Sequence, residues 1–105
     1  MEATILGDQY ELFINKSPRK TLDKLKDKDY KAAKMISDHI IKLGTSPCIS
    51  RPGTDISLVV NSNPLEYRLR IGAQTRVIYT VNDSDKVVTI TRIMLAKRRK
   101  SDYKK

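Results

Sequence analysis

The chain has 105 residues, a formal net charge of +9, 39% apolar residues, one cysteine and one histidine. This length is typical of a single small domain, residues 1–105, with one modest core. No apolar run reaches the roughly 18 residues of a membrane helix, the N-terminus lacks the pattern of a secretory signal, and one Cys with one His cannot form a disulfide or a structural zinc site. The composition predicts a cytoplasmic protein without membrane association, metal or cofactor.

The first predicted elements are a short strand and a helix. Apolar and polar residues alternate over residues 9–14, which predicts a half-buried strand, and residues 1–8 are a possible extra N-terminal arm. Ser17 as N-cap and Pro18 as the first helical residue predict a helix that continues to about Asp27.

A second helix is predicted from about Asp29 to Leu43, because apolar residues recur at spacings of three and four. Gly44 follows as the C′ residue. The only histidine, His39, is predicted at the border of this helix and away from any catalytic site. Cys48 is predicted to be a partly buried small apolar residue, because no base lies near it in the sequence.

The second half of the chain predicts strands joined by short turns. Residues 45–55 have turn and loop composition, and the strands follow at 56–61, 66–72, 75–82 and 86–96. Consecutive strands with short connections pair antiparallel. The predicted fold class is therefore α+β, with an N-terminal short strand and an α-hairpin packed on one face of an antiparallel four- to five-stranded sheet.

Nearly all of the excess positive charge lies in the last third of the chain. Residues 1–66 contain ten basic and nine acidic side chains, whereas residues 67–105 contain eleven basic and three acidic ones. This asymmetry favours a polyanionic partner, and nucleic acid before a membrane surface, because the basic segment has the pattern of strands rather than of an amphipathic helix.

Three arginines of this segment are predicted to share the helix-free face of a β-hairpin. They are Arg68, Arg70 and Arg76. For the apolar residues of YRLRI and RVIYTV to face the helices together, the connection must have an odd number of residues, and a loop of Ala73–Thr75 with Gly72 opposite Arg76 meets this condition. No acidic residue occurs within residues 67–82. A grouping of cations without acids favours an anion-binding site over a solvated face.

The C-terminal segment, residues 97–105, is predicted to be a basic tail that extends this site. It combines one aromatic residue, Tyr103, with basic residues at Lys97, Arg98, Arg99, Lys100 and Lys104. Basic side chains can neutralise phosphates while a base stacks on the aromatic ring, which contributes about 1 to 3 kcal/mol per base. The lysines and Arg99 are predicted to bind RNA.

From about Tyr10 onward the sequence resembles the RelE/ParE superfamily of toxins. The segments that carry the resemblance are YRLRIG, TRVIYTV, VVTITRI and a basic tail with a tyrosine, Tyr103, near its end. The resemblance implies a fold similar to that of microbial ribonucleases and, for the RelE-like branch, cleavage of messenger RNA in the ribosomal A site. The catalytic residues that it implies are Arg68, Arg70, Arg76, Arg98 and Tyr103.

The implied reaction is a metal-independent transesterification in which the RNA 2′-hydroxyl attacks the adjacent phosphorus. The arginines can stabilise the developing negative charge, but they cannot act as the general base because a guanidinium stays protonated. The remaining candidates for proton transfer are Tyr103, Lys97 and Lys100.

The resemblance also implies partners, and it leaves two alternative functions open. The expected partners are an acidic antitoxin encoded nearby, with which the chain would form a hetero-oligomer, and the ribosome with its messenger RNA. One alternative is a ParE-like inhibitor of DNA gyrase. The other is a non-enzymatic RNA-binding protein, which would show a steep salt dependence of binding and no cleavage.

Overall fold

The computed structural model describes residues 3–6, 9–73 and 75–95. In chain order these form β1 (Ala3–Leu6), β2 (Glu11–Ile14), α1 (Lys16–Lys28), α2 (Tyr30–Ile41), a 3-10 helix (Lys42–Gly44), β3 (Asp55–Leu58), β4 (Tyr67–Ile71), β5 (Thr75–Asn82) and β6 (Val87–Met94). Neither α-helix of this described part is long and apolar enough to cross a membrane.

Helix α1 begins earlier than the sequence predicts. Its N-cap residue is Asn15, whose side chain makes no capping hydrogen bond, so the prediction of Ser17 as N-cap is wrong. Pro18 is the third helical residue and is buried. Proline is tolerated there because the first turn of a helix has no intrahelical acceptor for its backbone N–H groups.

Helix α2 ends earlier than predicted and continues as a 3-10 turn. Its N-cap Asp29 accepts a hydrogen bond from the Ala32 backbone N–H at 3.2 Å. Gly44 is the last residue of the 3-10 helix rather than a C′ residue, and its carbonyl accepts hydrogen bonds from the N–H groups of residues 9 and 10 at 2.8 and 3.0 Å. His39 lies on α2, as predicted, where Nδ1 donates to the Met35 carbonyl at 2.8 Å.

The strands form a six-stranded sheet in the order β1-β2-β6-β5-β4-β3. The α+β class is confirmed, and all five predicted strands form. Two features differ from the prediction: the N-terminal arm contributes β1, and β2 pairs with β6 in parallel. Parallel pairing arises because the chain leaves β2 through the α-hairpin and returns to it only with β6.

One face of the sheet packs against the two helices and holds the core. The helices contribute Leu22, Ile36 and Ile40 to a single apolar cluster. The sheet contributes to the same cluster the residues Leu12, Ile14, Leu69, Ile71, Val77, Tyr79, Val88, Ile90 and Ile93. Full burial of an aliphatic side chain stabilises the fold by about 1.5 to 3 kcal/mol, so this face accounts for much of the stability.

The hairpin of β4 and β5 has an odd connection, as predicted, but a different register. Ile71 pairs with Thr75, so residues 72–74 connect the strands. Gly72 adopts a φ of +65°, which favours glycine. The predicted loop of Ala73–Thr75 is therefore wrong by one residue, and Arg76 pairs with Arg70 rather than with Gly72. The side-chain faces are unchanged, because the shift in register is even.

Candidate nucleic-acid interface

Four arginines from three strands lie on the side of the sheet opposite the helices. Arg68 and Arg70 belong to β4, Arg76 to β5 and Arg92 to β6. Their strand neighbours Leu69, Val77 and Ile93 are buried in the core, so alternation directs the arginines to the other side. We call these four residues the arginine face. The structure thus brings three predicted site residues together and adds Arg92, while their catalytic role stays a prediction.

The arginine face surrounds one buried isoleucine. Ile78 on β5 pairs with Arg68 on one side and with Arg92 on the other, and Arg70 pairs directly with Arg76. Ile78 is 2% exposed although it lies on the outer face, and it does not belong to the main core cluster. Arginine stems can cover apolar surface while the guanidinium groups stay in water, and the register places four such stems around this residue.

A bulge in β6 determines where Arg92 lies. Ile78 pairs with Arg92 and Tyr79 pairs with Ile90, so Thr91 has no partner on β5. The Thr91 hydroxyl donates instead to the Ile78 carbonyl at 3.1 Å. An extra residue in one strand redirects the side chains that follow it.

Because of this bulge, the local sequence pattern does not predict Arg92 in the site. Val88 and Ile90 face the core, and continued alternation would place Arg92 on the core side as well. The available signal was the step of three residues from Ile90 to the next apolar core residue, Ile93, which breaks the period of two.

The guanidinium groups of the arginine face have few partners. Arg68 Nε donates to Ser57 Oγ at 3.3 Å, and Arg76 Nη1 donates to the carbonyls of Ala73 and Thr75, both at 3.3 Å. The salt bridges in the described part of the chain both join residues one turn apart on a helix, and neither involves the arginine face. Like charges that are paired across a sheet destabilise it. The cluster therefore does not stabilise the fold through charge pairing.

The charge of this surface is strongly one-sided. Asp55 on β3 lies opposite Arg70 in the register and places a carboxylate at the outer edge of the cluster, without a salt bridge between them. Among the described residues, no group of three His, Cys, Asp or Glu side chains is placed to hold a metal ion. What the arrangement offers a ligand is hydrogen-bond donors and positive charge, which match phosphate oxygens.

A solved structure with a similar fold is the archaeal RelE-RelB complex from Pyrococcus horikoshii OT3. The superposition has a TM-score of 0.62 at 29% sequence identity and covers 87% of this chain and 99% of that chain. This chain has the RelE-like fold. The resemblance that the sequence motifs indicate is thereby confirmed for the fold. A scan against protein-family models and a search of curated proteins gave no match.

The remaining predicted site residues of this RelE-like chain lie outside the described residues. They are Lys97, Arg98, Arg99, Lys100, Tyr103 and Lys104. Their roles in RNA binding and proton transfer stay predictions. The last described residue, Leu95, directly follows β6, which carries Arg92.

Arg51 has an environment opposite to that of the arginine face. Its two terminal nitrogens donate to four backbone carbonyls, those of Ser46 (2.8 Å), Ile49 (2.6 Å), Lys42 (3.0 Å) and Thr45 (2.7 Å). We call residues 42–54 the anchored loop. Because all four acceptors belong to this loop, Arg51 holds together a segment that has little regular structure of its own.

Two tyrosines at the anchored loop are structural rather than catalytic. The Tyr79 hydroxyl donates to the Pro47 carbonyl at 2.6 Å, and the rings of Tyr67 and Tyr79 stack with centroids 5.7 Å apart. Burial raises the pKa of Tyr79, and a hydrogen bond to the Cys48 thiol raises the pKa of Tyr67 to about 12. Cys48 itself is exposed, so the prediction of partial burial is wrong. Both phenols stay neutral at physiological pH and lie on the helix side of the sheet.

Proposed function

We propose that this chain is the toxin of a type II toxin-antitoxin system and cleaves messenger RNA on the ribosome. The arginine face carries the proposal: four guanidinium groups from three strands, without a carboxylate partner in the described part of the chain. An RNA backbone supplies the negative charge that the protein itself does not provide. The RelE-like fold, shared with a chain of a RelE-RelB complex, supports the same assignment.

The proposed reaction needs no metal. The RNA 2′-hydroxyl loses its proton and its oxygen bonds to the adjacent phosphorus, while the bond from phosphorus to the 5′-oxygen breaks and that oxygen gains a proton. The products are a 2′,3′-cyclic phosphate and a 5′-hydroxyl. Arg68, Arg70 and Arg76 would stabilise the extra negative charge on phosphorus, because a guanidinium can donate to two phosphate oxygens at once.

Proton transfer is the part of the mechanism that the arginine face cannot perform. Arginine stays protonated at any physiological pH, and His39 is on α2, on the other side of the sheet. We propose Tyr103, Lys97 and Lys100 in the tail for proton transfer. Arg98 is proposed to stabilise charge beside them. With so weak an acid-base set, alignment of the RNA by the ribosome would supply much of the rate, since orientation contributes about 7 to 11 kcal/mol.

The proposed biological setting is the cytoplasm, with an acidic antitoxin as the inhibiting partner. Negative charge on the antitoxin would complement the basic last third of the chain, which contains eleven basic and three acidic side chains. Binding over the arginine face would block access to RNA, and the two proteins would form a hetero-oligomer.

Primer extension on a defined message in a purified translation system tests the proposal. We expect extension to stop at new 5′ ends within the codon in the A site, each carrying a 5′-hydroxyl, while the upstream fragment carries the 2′,3′-cyclic phosphate. Arg76→Ala should lower the cleavage rate by about 10² to 10³ fold, the usual cost of removing one charge-stabilising donor. Arg19→Ala is the matched control, because Arg19 is paired with Asp23 on α1, and it should leave the rate unchanged.

An intact message in this experiment would contradict the proposal, and two further assays would then distinguish the alternative functions. A message that stays intact while the chain blocks supercoiling by DNA gyrase would point to a ParE-like function. A message that is bound, with an affinity that falls steeply with salt, but never shortened would point to a non-enzymatic RNA-binding protein.

A further inference from the structure

We propose that Arg92 is a fourth phosphate-binding residue of the arginine face. The bulge at Thr91 is the feature of β6 that exposes Arg92 on this face. The inference rests on the proposed function and deepens it. It assigns to Arg92 the role of positioning the RNA backbone, and it assigns the ligand a length of more than one phosphate.

The bulge in β6 sets the direction of the Arg92 side chain. Up to Ile90, β6 follows a strict period of two, and the next core-facing position would be residue 92. The unpaired Thr91 interrupts that period, so that Ile93 enters the core and Arg92 is exposed on the outer face. A charged residue at a core position would have required burial at high cost. The bulge resolves this conflict and delivers the guanidinium to the arginine face.

Arg92 lies two strands away from the predicted catalytic residue Arg68, across Ile78. Arg68 and Arg92 both pair with Ile78, from opposite sides. Neighbouring strands are about 4.8 Å apart, so the backbones of these two arginines are about 10 Å apart. With Arg70 and Arg76 beside them, the cationic surface crosses three strands. Such a width suits consecutive phosphates of one polynucleotide better than the single phosphate of a mononucleotide.

Arg92 and Arg51 differ in the partners of their guanidinium groups. Arg92 is exposed, and within the part of the chain that the structure describes its guanidinium forms neither a hydrogen bond nor a salt bridge. Arg51, by contrast, donates to four backbone carbonyls at 2.6 to 3.0 Å. Arg92 therefore has its donors available for a ligand.

The test measures the affinity for a short single-stranded RNA, made non-cleavable by 2′-deoxy substitution, over a range of salt concentrations. For single strands the slope of log K against log salt is about −0.7 for each phosphate contact, so Arg92→Ala should reduce the slope by about 0.7 and weaken binding about three- to tenfold at moderate salt. Arg92→Lys keeps the charge and should restore the slope. Arg19→Ala, on α1, should leave both quantities unchanged.

The outcomes separate this inference from the proposed function. If Arg76→Ala reduces the slope and Arg92→Ala does not, the role of Arg92 is wrong and the proposed function stands. If Arg68→Ala and Arg76→Ala also have the same salt slope as the wild-type chain, the arginine face does not bind RNA. The proposed function then fails, and the role of Arg92 fails with it. Arg92→Ala should also weaken the binding of RNAs of different sequence by the same factor, because a phosphate contact does not distinguish bases. Weaker binding of one sequence only would contradict the assignment.

Discussion

The anchored loop and the arginine face use the same side chain in opposite ways. In the anchored loop, the guanidinium of Arg51 donates to four backbone carbonyls at 2.6 to 3.0 Å. On the arginine face, the shortest hydrogen bonds of Arg68 and Arg76 are 3.3 Å, and no carboxylate forms a salt bridge with either residue in the described part of the chain. An arginine with four short hydrogen bonds to its own chain stabilises the fold, whereas an arginine with few and longer hydrogen bonds keeps donors available to a ligand.

The two regions also differ in what their charges cost. Hydrogen bonds to a charged group contribute about 1.5 to 3 kcal/mol each when the acceptor would otherwise be unsatisfied. Arg70 and Arg76 instead face each other directly across β4 and β5, where like charges repel. Removing an arginine from the anchored loop should therefore lower the free energy of unfolding. Removing one from the arginine face should leave the free energy of unfolding unchanged or raise it, and should weaken RNA binding.

The largest effect that this comparison predicts is on stability, from Arg51→Ala. The substitution removes the donors of four carbonyls in the anchored loop, and water can replace the donor at the two exposed ones, those of Ile49 and Lys42. Loss of the two part-buried bonds should lower the free energy of unfolding by about 3 kcal/mol, measured by urea denaturation. Arg51→Lys should recover only part of this loss, because an ammonium cannot reproduce the planar arrangement of donors. A loss below about 0.5 kcal/mol for Arg51→Ala would show that water replaces the guanidinium and that the contrast between the regions does not hold.

An intermediate effect is predicted for Arg70→Ala, with opposite signs for stability and binding. Removing one member of the like-charged pair with Arg76 should leave the free energy of unfolding unchanged or raise it by up to about 1 kcal/mol. The same change should weaken RNA binding about three- to tenfold, through the loss of one phosphate contact. Urea denaturation and RNA titration of one preparation measure both quantities.

Arg70→Lys is the matched variant, since it keeps the charge and should retain most of the affinity. A fall in stability of more than about 1 kcal/mol for Arg70→Ala would instead identify Arg70 as a structural residue. It would then belong with Arg51 rather than with the arginine face.

The sequence predicted the elements of this site where local pattern decides the structure. The alternation of YRLRI and RVIYTV placed Arg68, Arg70 and Arg76 on one face, and an even error in the register did not change that face. Helix periodicity located α1 and α2, although their ends moved by one or two residues. These features depend on neighbouring residues alone.

Features that depend on pairing between distant segments could not be read from the sequence. The parallel contact of β2 with β6 joins residues 11–14 to residues 87–90, and no local pattern specifies that pair. The bulge at Thr91 follows from the need to bury Ile93 against Val77, which only the assembled sheet imposes. Arg92 was missed for that reason, and Arg51 was passed over because its four acceptors are backbone atoms that any sequence would provide.

The smallest predicted effect concerns Asp55, the carboxylate opposite Arg70 at the edge of the arginine face. Interactions between nearby exposed charges are worth about 0.2 to 1 kcal/mol, so Asp55→Asn should tighten RNA binding about two- to threefold by removing a negative charge that repels phosphate beside Arg70. The salt slope should stay the same, because no phosphate contact is gained. Asp38→Asn on α2 changes the net charge equally, but Asp38 is paired with Lys34 on the helix side. Equal tightening by both variants would mean that total charge rather than the local register sets the affinity, and the arginine face would then lose its distinction from any other basic surface of the chain.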